Sequence, residues 1–417
     1  MTTSWQLAKL GDHVDLLAGF AFKSRDFTED PDDVRLLRGA NIGQGTLKWE
    51  KAKRWPISKS ADHRKFELAL DDIVVAMDRP WIEAGLKWSV LRTPDLPALL
   101  VQRVARLRAT GSLSQDFLRF LVGSPQFEAY IRPIVTGVNV PHISPSQIRG
   151  FSFLLPPRWI QDAVARILRP VDDLIENNRR RIEILEEMAR LLYREWFVHF
   201  RFPGHEDVEL VDSDLGPIPE GWLAGEFSDL VSEITATLAP DEIPELTPVV
   251  GLEHLPRRST TLREWQIASD VGSRRKTFVE GDILFGKIRP YFHKVVDAPT
   301  SGCASTDAIV FRPKDDLLRC RALAVASSDK FVGIATATSN GTKMPRANSE
   351  ILMAYGIPHP TQDVDRAFSE IVQPMDSLRK TLATKNRVLR EARDLLLPRL
   401  VSGELDVSEL DLGLVGA

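Results

Sequence analysis

The chain is written twice, and that duplication limits what it can fold into more than any other feature. Landmarks recur about 200 to 217 residues apart, near half of the 417-residue length. That is far beyond the repeat of roughly 20 to 50 residues found in stacked-repeat proteins. Trp5, Leu10, Asp12 and Val14 correspond to Trp222, Phe227, Asp229 and Val231. The block DIVVAMDRP, Asp72 to Pro80, aligns without gaps with DILFGKIRP, Asp282 to Pro290. Each reads as a short buried strand ending in a turn, with Arg79 or Arg289 just before the proline that closes it. Further on, TGVNVPHISPSQIRGFSFLLPP, ending at Pro157, parallels SNGTKMPRANSEILMAYGIPHP, ending at Pro360. Both run through a Gly/Asn turn, a proline, a short helix and an apolar strand. A duplicated chain of this length divides into two or more domains with ordinary cores.

Both copies then run into a long helix, roughly 161 to 199 and 362 to 401. Gln161-Asp162 and Gln362-Asp363 stand in the first turns, and Pro157 and Pro360 lie where prolines open helices. In the first helix Ile167, Val171, Leu174, Leu185, Met188 and Leu192 keep a heptad spacing. Positions 204 further on carry Ile371, Met375, Leu378, Leu389, Ala392 and Leu396. The spacing predicts two helices paired as a coiled coil along that seam. Asn178 and Arg181 interrupt the seam where the second copy has Leu382 and Lys385, and polar residues at such positions fix register. Pro170 and Pro374 predict a kink, or a helix start a few residues later. A second apolar stripe, Leu168, Ile175, Ile182, Ala189 and Trp196, needs a cover of its own. Either the neighbouring domain covers it or a partner subunit does, which makes Ile175, Ile182 and Trp196 candidate docking residues.

Catalytic signatures are missing. There is no phosphate-binding GxxxxGK[ST] loop, no glycine-rich cofactor loop and no N/D-P-P-Y/F tetrapeptide of a DNA adenine methyltransferase. The nearest approach to a nuclease cluster is Asp282 with Lys287, which lacks the intervening acid. His13, His63, His199 and His359 stand singly, and Cys303 with Cys320 forms neither a CxxC nor a Cys/His cluster, so no metal site and no disulfide framework is expected. With 43% hydrophobic and 27% charged residues the composition is that of a soluble globular protein. No apolar run approaches the roughly 18 residues of a membrane span, and MTTSWQ lacks the features of a signal peptide. A cytoplasmic location is the expectation. The formal charge of −4, from 54 basic and 58 acidic residues, argues against holding nucleic acid by bulk charge alone. Such binding would need basic residues gathered on one face, or help from partners.

Between the two halves lies LYREWFVHFRFPGHEDVELVDSDLGPIPEGW, Leu192 to Trp222. Its Trp196, Phe197 and Phe200, followed by Gly216, Ile218, Pro219, Gly221 and Trp222, resemble the central region of Type I restriction-modification specificity subunits. In that family a helix ends in W-F-x-x-F and a G-x-I-P-x-G-W linker opens the second half. LLLPRLVSGELDV, from Leu395, is similar to the family's closing L-P-x-L-x-S-G-E. PPRWIQ, Pro156 to Gln161, is similar to its P-P-x-x-E-Q helix start, with Ile160 in place of the acid, and HPTQ keeps one proline of the pair. The resemblance spans nearly the whole chain.

It implies an α/β (α+β) fold: two similar mixed α/β target-recognition domains separated by two long helices pairing as an antiparallel coiled coil, in a pseudo-twofold duplication. The corresponding boundaries are 1–158 and 222–360 for the domains, 159–201 and 361–403 for the helical spacers, 202–221 for the linker and 404–417 for a tail. It further implies a subunit without catalytic activity that binds double-stranded DNA and assembles with two methyltransferase subunits and motor-nuclease subunits. S-adenosylmethionine, ATP and Mg would be used by those partners and none by this chain. A helix of about 38 residues at about 1.5 Å each is on the order of 57 Å, or very roughly 17 base pairs, which bounds the separation of two half-sites.

The copies agree in scaffold and differ in the loops after positions 34 and 246, which predicts two unlike half-sites. Bases are read by side chains that present paired donors and acceptors to their edges. The first domain offers Arg38, Asn41, Gln44, Lys48, Arg79, Lys87 and His142. The second offers His254, Arg257, Arg258, Arg274, Arg275, Lys276, Lys287, Arg289, Lys343 and Arg346. The run Arg274, Arg275, Lys276 suits phosphates better than bases. Arg79 and Arg289 could instead brace their own turns, since shared residues are poor readers of different sequences. Two other readings stay open: a loop cation that is only a solvated charge, and a scaffold whose domains bind proteins.

Overall fold

Four consecutive buried apolar residues, Ile73–Ala76, suit only a strand flanked on both sides, and the fold provides that. The computed structural model describes residues 5–82, 85–134, 141–268, 272–341 and 343–407. They divide into two units, one of residues 1–173 with 391–417 and the other of residues 174–390.

In the first unit an antiparallel sheet runs Val14–Ala18, Val104–Ala109, Ile73–Ala76, Trp88–Val90. The second unit repeats that order with Val231–Ile234, Ala308–Pro313, Ile283–Gly286, Val295–Asp297. Register is kept as well: Ile73 faces Leu107, and Ile283 faces Phe311. A two-stranded ribbon closes each domain, with Gln6 opposite Leu155 in one and Leu223 opposite His359 in the other. Ser124 and Ser328 cap matching helices by accepting from Phe127 N and Phe331 N, both at 3.2 Å, and both phenylalanines are fully buried.

The second sheet diverges. Each unit keeps one parallel pair, Val34–Leu37 with Ala98–Leu100 and Pro248–Val250 with Gly302–Ser305. The first unit adds only Arg54–Trp55, making three strands. The second adds Gln266–Ile267, Arg275–Phe278 and Thr237–Leu238, making five. The duplicated core therefore carries two differently edged sheets.

Helix α1, Arg158–Tyr193, and helix α2, Gln362–Ser402, contribute to both units. α1 begins at Arg158 and runs through Pro170, so the later start allowed by that proline is not taken. A wider π-type turn, Arg194–Val198, ends it. The helices are antiparallel within the second unit, where Ile182 packs on Leu382 and Ala383. They are antiparallel in the first unit too, where Arg393 Nη1 donates to Asp172 Oδ1 at 2.9 Å.

The packed seam is only partly the predicted one, for Ile167, Leu185 and Leu192 pack in it beside the second stripe. Leu174 and Met188 are 48% and 46% exposed, and Ile371 is 42% exposed, whereas Leu168, Ile175, Ile182 and Trp196 are buried. The second stripe is thus the more deeply buried side of the seam. On its side lies Glu186, one turn beyond Ile182, whose carboxylate finds partners inside the unit, while Asn178, a polar position of the predicted seam, is buried on Asn386. Ile175, Ile182 and Trp196 are consequently covered by this chain, Trp196 within a cluster of Phe197, Phe202, Trp222 and Phe368, and they leave no surface for a partner.

Polar groups tie the helices to their domains. In the second unit Glu186 Oε1 accepts from Ser259 Oγ at 2.8 Å and Thr261 Oγ1 at 2.5 Å. Arg379, 1% exposed, donates to Asp376, Asp297 and the Thr260 carbonyl, so that its buried charge is compensated on three sides. In the first unit Gln161 accepts from Ser114 N at 2.7 Å and donates to the Pro156 and Ser112 carbonyls. Arg321 pairs with Asp365 at the equivalent first turn of α2.

Candidate functional site

The aspartate that opens each DI block does a structural job. Asp72 Oδ2 accepts from Arg108 Nη2 at 2.8 Å and from Ala69 N at 2.7 Å. Asp282 Oδ2 accepts from Arg312 Nη2 at 2.8 Å and from Val279 N at 2.8 Å. Both carboxylates are buried and spoken for, so the nuclease-like pairing of Asp282 with Lys287 does not form. Among the described residues no group of three or more histidine, cysteine or acidic side chains is placed to hold a metal ion. Cys303 and Cys320 are free and buried, and burial with the nearby Asp376 pushes the Cys320 thiol up to about 12. No helix is long and apolar enough to cross a membrane.

Just beyond each DI block, three backbone hydrogen bonds recur between equivalent residues. In the first unit Met77 N donates to Arg103 O, Ile143 N to Met77 O, and Arg79 N to Pro141 O, at 2.8, 2.7 and 2.8 Å. In the second Lys287 N donates to Asp307 O, Ala347 N to Lys287 O, and Arg289 N to Pro345 O, at 2.8, 2.9 and 2.7 Å. Asp78 bridges to His142 as Ile288 bridges to Arg346. Arg79 and Arg289 share positive φ values of 45° and 50°, a conformation costly for a non-glycine residue and stable only where its surroundings enforce it. The frame is the same in both units. The side chains on it are not.

In the first unit Asp78, 18% exposed, accepts from Arg103 Nη1 and lies 2.6 Å from His142 Nδ1. Lys87 is buried beside this group. Burial, then the neighbouring Arg79, holds its ammonium below the usual lysine range, with Asp78 opposing. The structure therefore brings Arg79, Lys87 and His142 together and adds Arg103, whose side chain is 64% exposed. In the second unit the roles are permuted. Asp307 stands where Arg103 does, Arg346 stands where His142 does, and Arg346 Nη2 lies 3.5 Å from Asp307 Oδ1. Lys287 and Arg289 are half-buried on the same frame, and Lys343 is exposed nearby in sequence.

The remaining candidates fall elsewhere. Asn41 is buried; its side chain accepts from Arg38 N at 3.1 Å and donates to Lys48 O at 2.9 Å. It locks a tight hairpin on which Arg38, Gln44 and Lys48 are exposed. Gln44 bridges to Trp88, next to Lys87 in sequence. His254 Nδ1 accepts from Gly251 N at 2.9 Å. The Arg257 guanidinium stacks on Phe292, 3.8 Å from the ring centre, and Arg258 donates to Asp329 at 3.1 Å. Arg274 is exposed and Arg275 half-buried, while Lys276 is turned inward, 3.6 Å from Glu233. Reasoning from sequence missed Arg103, Asp78 and Asp307. The 204-residue offset was the signal that could have found Arg103 and Asp307, had it been extended to the strand that begins at Val104, and Asp78 lay in the aligned DI block opposite Ile288.

No family model matches the chain. It is 38% identical over 173 residues to the Type I restriction enzyme EcoAI specificity subunit of Escherichia coli, covering 41% of this chain and 28% of that protein. It is 31% identical over 187 residues to the MjaVIII specificity subunit of Methanocaldococcus jannaschii, covering 45% and 44%. The chain thus spans less than half the length of these two relatives. To the MjaIX specificity subunit of the same organism it is 25% identical over 315 residues, covering 71% and 70%. A crystal structure of the Type I restriction-modification S subunit from M. genitalium superposes over 96% of this chain and 97% of that one, with a TM-score of 0.57 at 13% identity, which is a likeness of fold.

Proposed function

We propose that the chain is a Type I restriction enzyme specificity subunit, the sequence-reading, non-catalytic member of such an enzyme, as its similarity to the EcoAI and MjaVIII specificity subunits supports. Residues 1–158 and 222–360 serve as two target-recognition domains, each binding one half of an asymmetric bipartite site in double-stranded DNA. One observation carries the reading: a backbone frame repeated bond for bond holds a different set of charged groups in each unit. Equal frames with unequal donors and acceptors are what a reader of two unlike half-sites requires.

Chemistry then falls to partners: two methyltransferase subunits using S-adenosylmethionine and, for restriction, motor-nuclease subunits using ATP and Mg. This places the assembly in the cytoplasm. Because the seam of α1 is internal, docking falls to the stripe the seam leaves bare. Ile184, Met188 and Leu191 are 59%, 46% and 46% exposed at helical spacing along α1.

The test is to express the chain with the methyltransferase encoded beside it and map adenine methylation across a host genome. One asymmetric two-part motif, missing when the chain is omitted, is the expected result. Methylation indifferent to the chain would overturn the proposal, and capture of a protein by the domains without any DNA preference would favour the scaffold reading.

A further inference from the structure

We infer that each domain reads one guanine through an arginine held by a carboxylate of the shared frame: Arg103 on Asp78 in the first unit, Arg346 on Asp307 in the second. The inference rests on the DNA-reading function proposed above and names the residues that set its specificity.

The charge pattern comes first. A carboxylate on a surface that faces phosphates is repelled by them, so it needs a reason to be there. Asp78 and Asp307 each meet an exposed arginine, Asp78 holding His142 with its other oxygen; the two arginine side chains are 64% and 51% exposed. A guanidinium has five donors in a rigid fork, so one edge can hold a carboxylate while another faces outward. Among the described residues Arg103 uses Nη1 on Asp78, and Arg346 uses Nη2 on Asp307. Anchored in this way, the fork loses little rotamer freedom when it meets a base. Guanine, with O6 and N7 side by side in the major groove, is the base whose acceptors match it.

The permutation supplies the second argument. Position 103 carries the arginine in one unit and position 307, its equivalent, carries the aspartate. Position 142 is histidine, and its equivalent 346 is the arginine. The outward fork therefore rises from the turn before Val104–Ala109 in the first domain. In the second it rises from the turn before Ser349–Met353. Relative to one common frame, the two forks point from different places, so the guanine sits at a different step of each half-site. Arg79 and Arg289 have the same backbone geometry in both units and so do not distinguish the half-sites. Arg257 stacks on an aromatic ring and lacks a carboxylate to aim it.

The experiment uses the purified complex of the full chain with its methyltransferase. Methylation rates are measured on duplexes carrying the mapped site and every single base-pair substitution of it. The parent complex is the control on function: without any preference for the mapped site, the DNA-reading proposal itself fails. Given that preference, R103A should lower the discrimination at one G·C pair of one half-site, on the order of 10-fold or more, leaving the other positions unchanged. R346A should do the same at one G·C pair of the other half-site. R103K keeps the charge and the long side chain, serves as the second variant should R103A fail to fold, and should lose the same discrimination; D78N should lose part of it at the same base pair. A uniform drop across all duplexes would make these arginines phosphate anchors and overturn the inference, as would unchanged discrimination or an effect at a pair other than G·C.

Discussion

Asn178 donates from Nδ2 to Asn386 Oδ1 at 2.9 Å in the buried seam between α1 and α2. The duplication relates position 178 to 382 and position 386 to 182, so the counterpart of this polar pair is the apolar contact of Ile182 with Leu382. Two homologous helices meeting antiparallel would otherwise be nearly symmetric about their crossing. This buried amide pair, with Asn386 Nδ2 also donating to Ile175 O at 2.9 Å, marks one register and one side.

Removing half of that pair should be worse than removing both. Asn178→Ala strands a buried amide and should cost about 1 to 3 kcal/mol, read as a shift of the urea unfolding midpoint. Asn178→Leu with Asn386→Leu should recover most of that loss, because two apolar groups then fill the seam. A double variant as unstable as the sum of the single ones would deny the coupling.

The bare stripe on α1 can be tested apart from folding. Ile184→Asp and Met188→Asp change side chains that are 59% and 46% exposed. The unfolding free energy of the chain should therefore stay within about 0.5 kcal/mol of the parent. Co-purification with the methyltransferase should be lost. Retained assembly in both variants would move the docking surface elsewhere.

Acid should weaken the second unit through two imidazoles. Burial holds the pKa of His293 and of His359 below the ordinary 6.5, outweighing the opposing hydrogen bond to Ser327 in one case and Asp229 in the other. The unfolded chain consequently binds protons more readily than the folded one, and stability falls as pH drops through 6.5. Unfolding midpoints at about pH 7.5 and 5.5 should differ more for the parent than for the variant with His293→Gln and His359→Gln. Equal differences would contradict the assignment.

Much of the fold is legible in the sequence because duplication makes each half a check on the other. The DI blocks announce the central strands Ile73–Ala76 and Ile283–Gly286, and the late prolines announce the ribbons that close the domains. The seam was half legible for a physical reason. Heptad spacing identifies apolar faces without saying which one is covered, and Leu174 with Met188 scores as well as Ile175 with Ile182. Only polar partners on another element, the hydroxyls of Ser259 and Thr261 that meet Glu186, decide which side is buried deeper. The site was half legible. Arg79, Lys87 and His142 could be gathered from their neighbourhoods, whereas Arg103 and Asp307 lie in short turns without any turn signature and are meaningful only as equivalents on one frame.

The central claim is that the two domains read independently, each from its own side chains on a common frame. Replacing residues 1–158 with the corresponding domain of a relative and mapping methylation tests it most directly. The account predicts that one half of the two-part motif changes while the other half stays as it was. A change in both halves, or in neither, would contradict it.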